Sequence, residues 1–188
     1  MKSVLISIRP KWCELIASME KTIEVRKNSP KIEVPFKCYI YATKTGDRIV
    51  LKNGRVFEIN KSLTNKVIGE FVCDKIYDIE PHYDTPNFCN QYVCGWNAGD
   101  EDDCLSFAEF DAYLGGKHGY GWHISDLKIY DKPRELGNFW KADKCPYATE
   151  SGCTYKYHCF RAGQTQRCGE NLTRPPQSWC YVEELQNV

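Results

Sequence analysis

The chain predicts an α+β domain in which one short helix near the N-terminus is set among strands rich in β-branched and aromatic residues. Three observations carry that expectation. Trp12, Leu15, Ile16 and Met19 recur at i, i+3, i+4 and i+7 directly after Pro10, the pattern of an amphipathic helix opened by proline. Lys21 to Arg26 reads Lys-Thr-Ile-Glu-Val-Arg, alternating polar with branched apolar residues at the period of two that a strand imposes. Phe36 to Thr43 and Lys66 to Tyr77 are apolar runs with turn signals between them.

Taken in order, Ser3 to Ile8 alternates enough to be a first strand, and the helix then turns Lys11, Glu14, Ser18 and Glu20 outward. In the strand that follows, Ile23 and Val25 bury on one face while Thr22, Glu24 and Arg26 share the other, with Lys21 at the helix-to-strand junction. Lys44-Thr45-Gly46-Asp47 and Lys52-Asn53-Gly54-Arg55 read as turns. Glu70 interrupts the apolar run over 66–77; a buried carboxylate without a partner is costly, so it must be paired, neutral or facing a cavity. Asp78 to Asp103, with Pro81, Pro86 and Gly95, reads as loop. Ser106 caps a second short helix that carries Phe107, Phe110 and Leu114 on one stripe and stops at Gly115-Gly116. Gly119 leads into a strand ending near Tyr130, and Arg174-Pro175-Pro176 reads as a turn into a last strand through Val182.

Composition bounds the function. The formal net charge is zero, but residues 1–73 carry 14 Lys/Arg against 7 Asp/Glu, residues 74–111 carry 1 against 10, and residues 112–188 carry 10 against 8. A protein that grips long duplexes needs a broad basic face, which this balance excludes; a basic N-terminal half suits a short strand or one nucleotide, with the acidic stretch over 74–111, which includes Asp100 to Asp103, facing away or limiting where RNA can lie. No apolar run follows a basic start and none approaches the ~20 residues of a membrane span, so a soluble cytoplasmic protein without a membrane partner is expected. Eleven cysteines in such a compartment point to metal rather than disulfides. Cys145, Cys153, Cys159 and Cys168, with His158 as an alternative fourth ligand, are candidates for a structural Zn²⁺ in a segment too short to build its own core. Free thiols are the competing reading. The same segment is basic and aromatic, through Lys156, Arg161, Arg167, Arg174, Tyr147, Tyr155, Tyr157 and Phe160, which suits phosphates and stacked bases.

Pro10-Lys11-Trp12, the run Glu20 to Arg26 and the strand Phe36 to Thr43, with Asn65 to Tyr77 and Gly121 to Leu127 later, resemble the ASCH family, small domains related to the PUA domains of RNA-modifying enzymes. Lys21 and Arg26 keep the spacing of the family's signature, while Met19 stands where glycine is usual. The resemblance covers about residues 2 to 132. It implies a PUA-like mixed β-barrel with flanking helices over 1–136, a cysteine-rich insertion over 137–174, and a strand within 175–188 returning to the barrel.

Three functions follow from the resemblance and the residues together. In the first, the chain binds RNA or a nucleotide in the groove at the helix-strand junction. Lys21 and Arg26 would then meet phosphate or base oxygens, Thr22 would sit at the ligand, and Glu24 would accept from an exocyclic amine. In the second it is an amidohydrolase of an N4-acylated cytosine nucleoside, or a ribonuclease. The resemblance implies a catalytic lysine, threonine and glutamate; Lys21 and Glu70 match, and Glu24 stands where the threonine is expected, as a second carboxylate. In the third, the acidic loop and the zinc-bound segment contact a protein partner.

Overall fold

The computed structural model describes residues 2–44, 49–50, 56–57, 64–82, 91–96, 102–141, 148–149, 152–153 and 171–185. Its elements are β1 (Lys2–Ile8), α1 (Pro10–Ala17), β2 (Ile23–Arg26), β3 (Phe36–Ala42), β4 (Ile49–Val50), β5 (Val56–Phe57), β6 (Lys66–Cys73), β7 (Ile76–His82), β8 (Gln91–Cys94), α2 (Phe107–Leu114), β9 (Gly119–His123), β10 (Ser125–Arg134), β11 (Ala148–Thr149), β12 (Gly152–Cys153) and β13 (Trp179–Glu183). The mixed α+β class is as the sequence predicts. The barrel is not: among the described residues the strands form separate sheets, one of five strands in the order β10-β6-β3-β1-β13 and one of four in the order β2-β9-β7-β8, beside the two small pairs β4-β5 and β11-β12.

The single strand expected over 66–77 is divided at Asp74-Lys75, where the chain passes from the five-stranded to the four-stranded sheet. The later strand is divided at Ile124 in the same way. These two crossings lie side by side. His123 N–H donates to the Lys75 carbonyl at 3.0 Å, Ser125 Oγ–H to the Val72 carbonyl at 2.9 Å, and His123 Nδ1 lies 2.6 Å from Asp74. Burial pushes the Asp74 carboxyl up, but the hydrogen bond and charge of His123 outweigh it and hold the pKa down. The expected loop over 78–103 holds the end of β7 and the edge strand β8 paired with it; Pro81 lies on β7 past its last pairing with β9 at Ile79, so no ladder bond on that side is lost.

Each sheet face has its own apolar cluster. Val4, Ile6, Ile8, Cys38, Ile40, Phe71 and Trp122 form one with Cys13 and Ile16 of α1. Burial, then the nearby Glu24 and Glu14 carboxylates, pushes the Cys13 thiol far up, so it packs as a small apolar side chain. The opposite face of the five-stranded sheet carries Leu5, Tyr39, Tyr41, Val67, Phe139, Leu172 and Val182. A third cluster, Ile23, Val25, Ile79, Phe110 and Leu114, lies beneath α2. That helix starts at a Ser106 and Glu109 capping box and ends at Gly115 with φ +63°, as its sequence predicts.

Helix α1 ends two residues before Met19, which is therefore 52% exposed instead of completing the apolar stripe. Met19 adopts φ +59° just beyond the Ser18 cap, its N–H donating to the Ile16 carbonyl while Lys21 N–H returns to Leu15. This left-handed conformation explains why glycine suits the position. Met19→Gly is expected to stabilise the fold by about 1 kcal/mol, the strain that a non-glycine residue bears there. Denaturant unfolding checks this, and an unchanged or lowered midpoint would show that Met19 is unstrained.

Candidate functional site

The reversal at Met19 turns the chain inward, so that Lys21, two residues later, is 2% exposed. Its Nζ donates to the carbonyls of Ile23 at 2.6 Å and Asp103 at 2.5 Å, and lies 3.6 Å from Glu24 Oε2. Glu24 and Arg26 follow on one face of β2, opposite Ile23 and Val25, because successive strand residues alternate. The other Glu24 oxygen, Oε1, is 2.8 Å from Arg26 Nη2. Arg26 donates onward to the Ser7 carbonyl of β1 at 2.8 Å and to Ser178 Oγ at 3.4 Å. One carboxylate thus sits between two cations, all three side chains buried.

Above this group lies a cleft of about 540 Å³. Arg9 and Trp12 line it on the α1 side, Leu105, Glu109, Ala112 and Tyr113 on the α2 side, and Ser7, Gln177 and Ser178 close the end toward β13. Lys11 reaches across to Glu109 at 2.7 Å and sits 4.1 Å from the centre of the Trp12 ring. Lys27 stands 5.2 Å from the centre of the Tyr113 ring. The volume suits one heterocycle with its sugar, and the lining pairs aromatic walls with charged groups on the floor.

Of the residues singled out in the sequence, Lys21, Glu24 and Arg26 come together in the cleft. Thr22 does not join them: its Oγ1 accepts from the Asp102 N–H at 2.9 Å, and it does not line the cleft. Glu70 also lies elsewhere. It is in register with Tyr39, whose ring belongs to the cluster on the far face of the five-stranded sheet; there it accepts from Tyr130 Oη and lies 3.4 Å from Lys37 Nζ. The acidic stretch was expected to face away or to limit where RNA can lie. Asp102 and Asp103 dock on β2 through their backbone: the Asp102 carbonyl accepts from Thr22 and Ile23 N–H at 2.8 and 3.0 Å, and Asp103 receives Lys21. Their carboxylates are turned into the loop, accepting from the Cys104 and Leu105 N–H.

Cys145, Cys159, Cys168 and His158 lie outside the described residues, and Cys153 is described only as part of β12. Among the described residues no group of His, Cys, Asp or Glu is arranged to hold a metal. Nor is any described helix long and apolar enough to cross a membrane. Sequence reasoning missed Ser7, Arg9, Tyr113, Gln177 and Ser178, which come from three distant stretches of the chain and carry no local motif.

Comparison with protein-family models gives no match, and comparison with curated proteins gives none either. The structural neighbours found are ASCH proteins. The chain is similar to ASCH from Zymomonas mobilis, at 19% identity and a TM-score of 0.48 over 71% of this chain and 73% of that one. It is also similar to two mutant forms of that protein: at 20% identity and 0.47 over 72% and 77% of the two chains, and at 18% identity and 0.46 over 71% and 74%.

Two predictions follow from the geometry. Glu24→Ala leaves two buried cations without their shared carboxylate, and is expected to cost about 3 to 5 kcal/mol in denaturant unfolding; a loss under about 1 kcal/mol would show that water replaces the carboxylate. Glu109 is held at about 2, below its usual 4.5, by Lys11 and then by the Ser106 hydrogen bonds. A depressed folded-state pKa contributes stability that is complete above 4.5 and disappears as pH falls toward 2. The gap in thermal midpoint between wild type and Glu109→Gln is therefore expected to narrow over that interval. A constant gap would show that the carboxylate charge is not what matters.

Proposed function

We propose that the cleft recognises a single nucleobase, carried by a nucleoside or by single-stranded RNA. The observation that carries this reading is the Lys21–Glu24–Arg26 group on the floor of a nucleoside-sized cleft walled by Trp12 and Tyr113. A planar guanidinium and an adjacent carboxylate offer donors and acceptors to the edge of a base, while the aromatic walls offer stacking surface. Arg9 and Lys27, both exposed, add positive charge suited to a flanking phosphate. The sequence motif that resembles the ASCH family supports the same place, since its Lys21 and Arg26 are two of the three floor residues, while Glu24 stands where the family's threonine is expected.

The geometry favours binding over amide hydrolysis by a paired Lys21 and Glu70. Glu70 is held by Lys37 and Tyr130 on another face. Lys21 Nζ faces two carbonyls and a carboxylate, so it sits as a donor with no lone pair turned toward a ligand. A Glu24-assisted hydrolysis is what remains of the enzyme reading, and its signature is turnover.

The test is a titration of cytidine, N4-acetylcytidine and short single-stranded RNA by calorimetry, beside a product assay on the acetylated nucleoside. Binding without product is expected. Trp12→Ala should weaken it about tenfold or more through lost stacking, and Arg26→Lys by a comparable factor, since an ammonium does not reproduce the guanidinium fork. Release of cytidine by wild type, abolished in Glu24→Gln, would replace recognition with hydrolysis. Absence of binding to every one of these probes would sink the nucleobase reading.

A further inference from the structure

Val25 lines the cleft although its side chain packs on the opposite face of β2, in the cluster of Ile23, Ile79 and Leu114. What reaches the cleft is the edge of the strand. Which backbone groups point there follows from the ladder. β2 runs antiparallel to β9 with Ile23 opposite His123 and Val25 opposite Gly121. The His123 N–H turns away from β2 to donate to Lys75 at 3.0 Å, while Ile124 N–H donates to the Thr22 carbonyl at 2.8 Å. Bonded and non-bonded pairs alternate along an antiparallel ladder. Glu24 and Arg26 therefore bond to β9, continuing the pairing that the Thr22 carbonyl begins at Ile124, and Ile23 and Val25 turn both N–H and C=O outward. The outward groups of Ile23 are met, its N–H by the Asp102 carbonyl and its C=O by Lys21 Nζ. Among the described residues, nothing meets those of Val25.

We infer that the main chain of Val25 is the reading edge of the cleft, its N–H and C=O binding a planar heterocycle that carries an acceptor next to a donor. This inference rests on the nucleobase reading above and deepens it. The Watson–Crick edge of each base offers that pair: N3 and the N4 amine of cytosine, N1 and the N6 amine of adenine, O6 and N1–H of guanine, O4 and N3–H of uracil. The main chain of Val25 places any base in one orientation, and Glu24 and Arg26, flanking it on the strand, discriminate among them. A strand from another protein does not fit the same edge. Strand addition needs several outward-turned residues in a row, every second one along the strand, whereas Asp102 fills the position at Ile23 and β2 ends at Arg26, leaving Val25 alone.

The test is amide hydrogen exchange of the ¹⁵N-labelled full chain, with cytidine, adenosine, guanosine and uridine as probes. Without nucleoside the Val25 amide is expected to exchange faster than those of Glu24 and Arg26, which the ladder protects. With a nucleoside that binds, it should slow by about tenfold or more. Val25→Pro deletes the outward N–H while leaving the bonds to β9 intact, as proline is tolerated where the N–H faces away from the sheet. It should weaken binding about tenfold or more, with the Glu24 and Arg26 amides still protected. Should the proline variant not fold, the exchange measurement on the wild type decides alone. Binding that leaves Val25 exchange unchanged overturns this inference and leaves the nucleobase reading standing; absence of binding to all four nucleosides overturns this inference, and the nucleobase reading falls with it only if N4-acetylcytidine and short single-stranded RNA also fail to bind.

Discussion

Glu24 holds the site together by occupying the space between Lys21 and Arg26, one oxygen toward each cation. None of the three side chains is tolerable in its position alone. A buried charge without a partner costs several kcal/mol, so each residue depends on the other two and on the carbonyls of Ile23, Asp103 and Ser7 that accept from the two cations. Through those carbonyls the group ties together β1, β2 and the loop before α2. The cleft is the space left above it.

The same arrangement explains why the walls stand where they do. The acidic loop supplies backbone carbonyls to the edge of β2 and so sets where α2 begins, at the Ser106 cap. Helix α2 buries Phe110 and Leu114 on the far side of the four-stranded sheet, which directs Glu109 and Tyr113 toward the cleft. Lys11 then joins α1 to α2 across the opening. Apolar burial positions both helices, and the ion pair, partly exposed and worth little by itself, bridges them once they are placed.

Much of the fold was legible because it depends on local periodicity. The helical stripe, the alternation of Lys21 to Arg26, the Ser106 cap and the Gly115 stop each state their element within a few residues. The reading failed where an element's end is set by what it meets. Nothing local marks that α1 stops at Ala17, or that the apolar run over 66–77 changes sheets at Asp74, because the corner there is held by His123 and Ser125, some fifty residues away. The edge strand β8 escaped notice because a short strand around turn residues resembles a loop until a partner strand is present.

The sequence by itself determined that Glu24 and Arg26 share one face of a strand and that Lys21 stands at its start, since strand alternation requires nothing beyond the order of residues. Only the tertiary structure decided which other polar groups join them. Thr22 has the right parity but spends its hydroxyl on the Asp102 backbone, and Glu70 has the right chemistry but takes the face of Tyr39, because sheet register rather than sequence distance sets which side a residue sees. The open backbone edge at Val25 is likewise invisible in the chain. Which way an N–H points is set by the partner strand, and β9 begins more than ninety residues later.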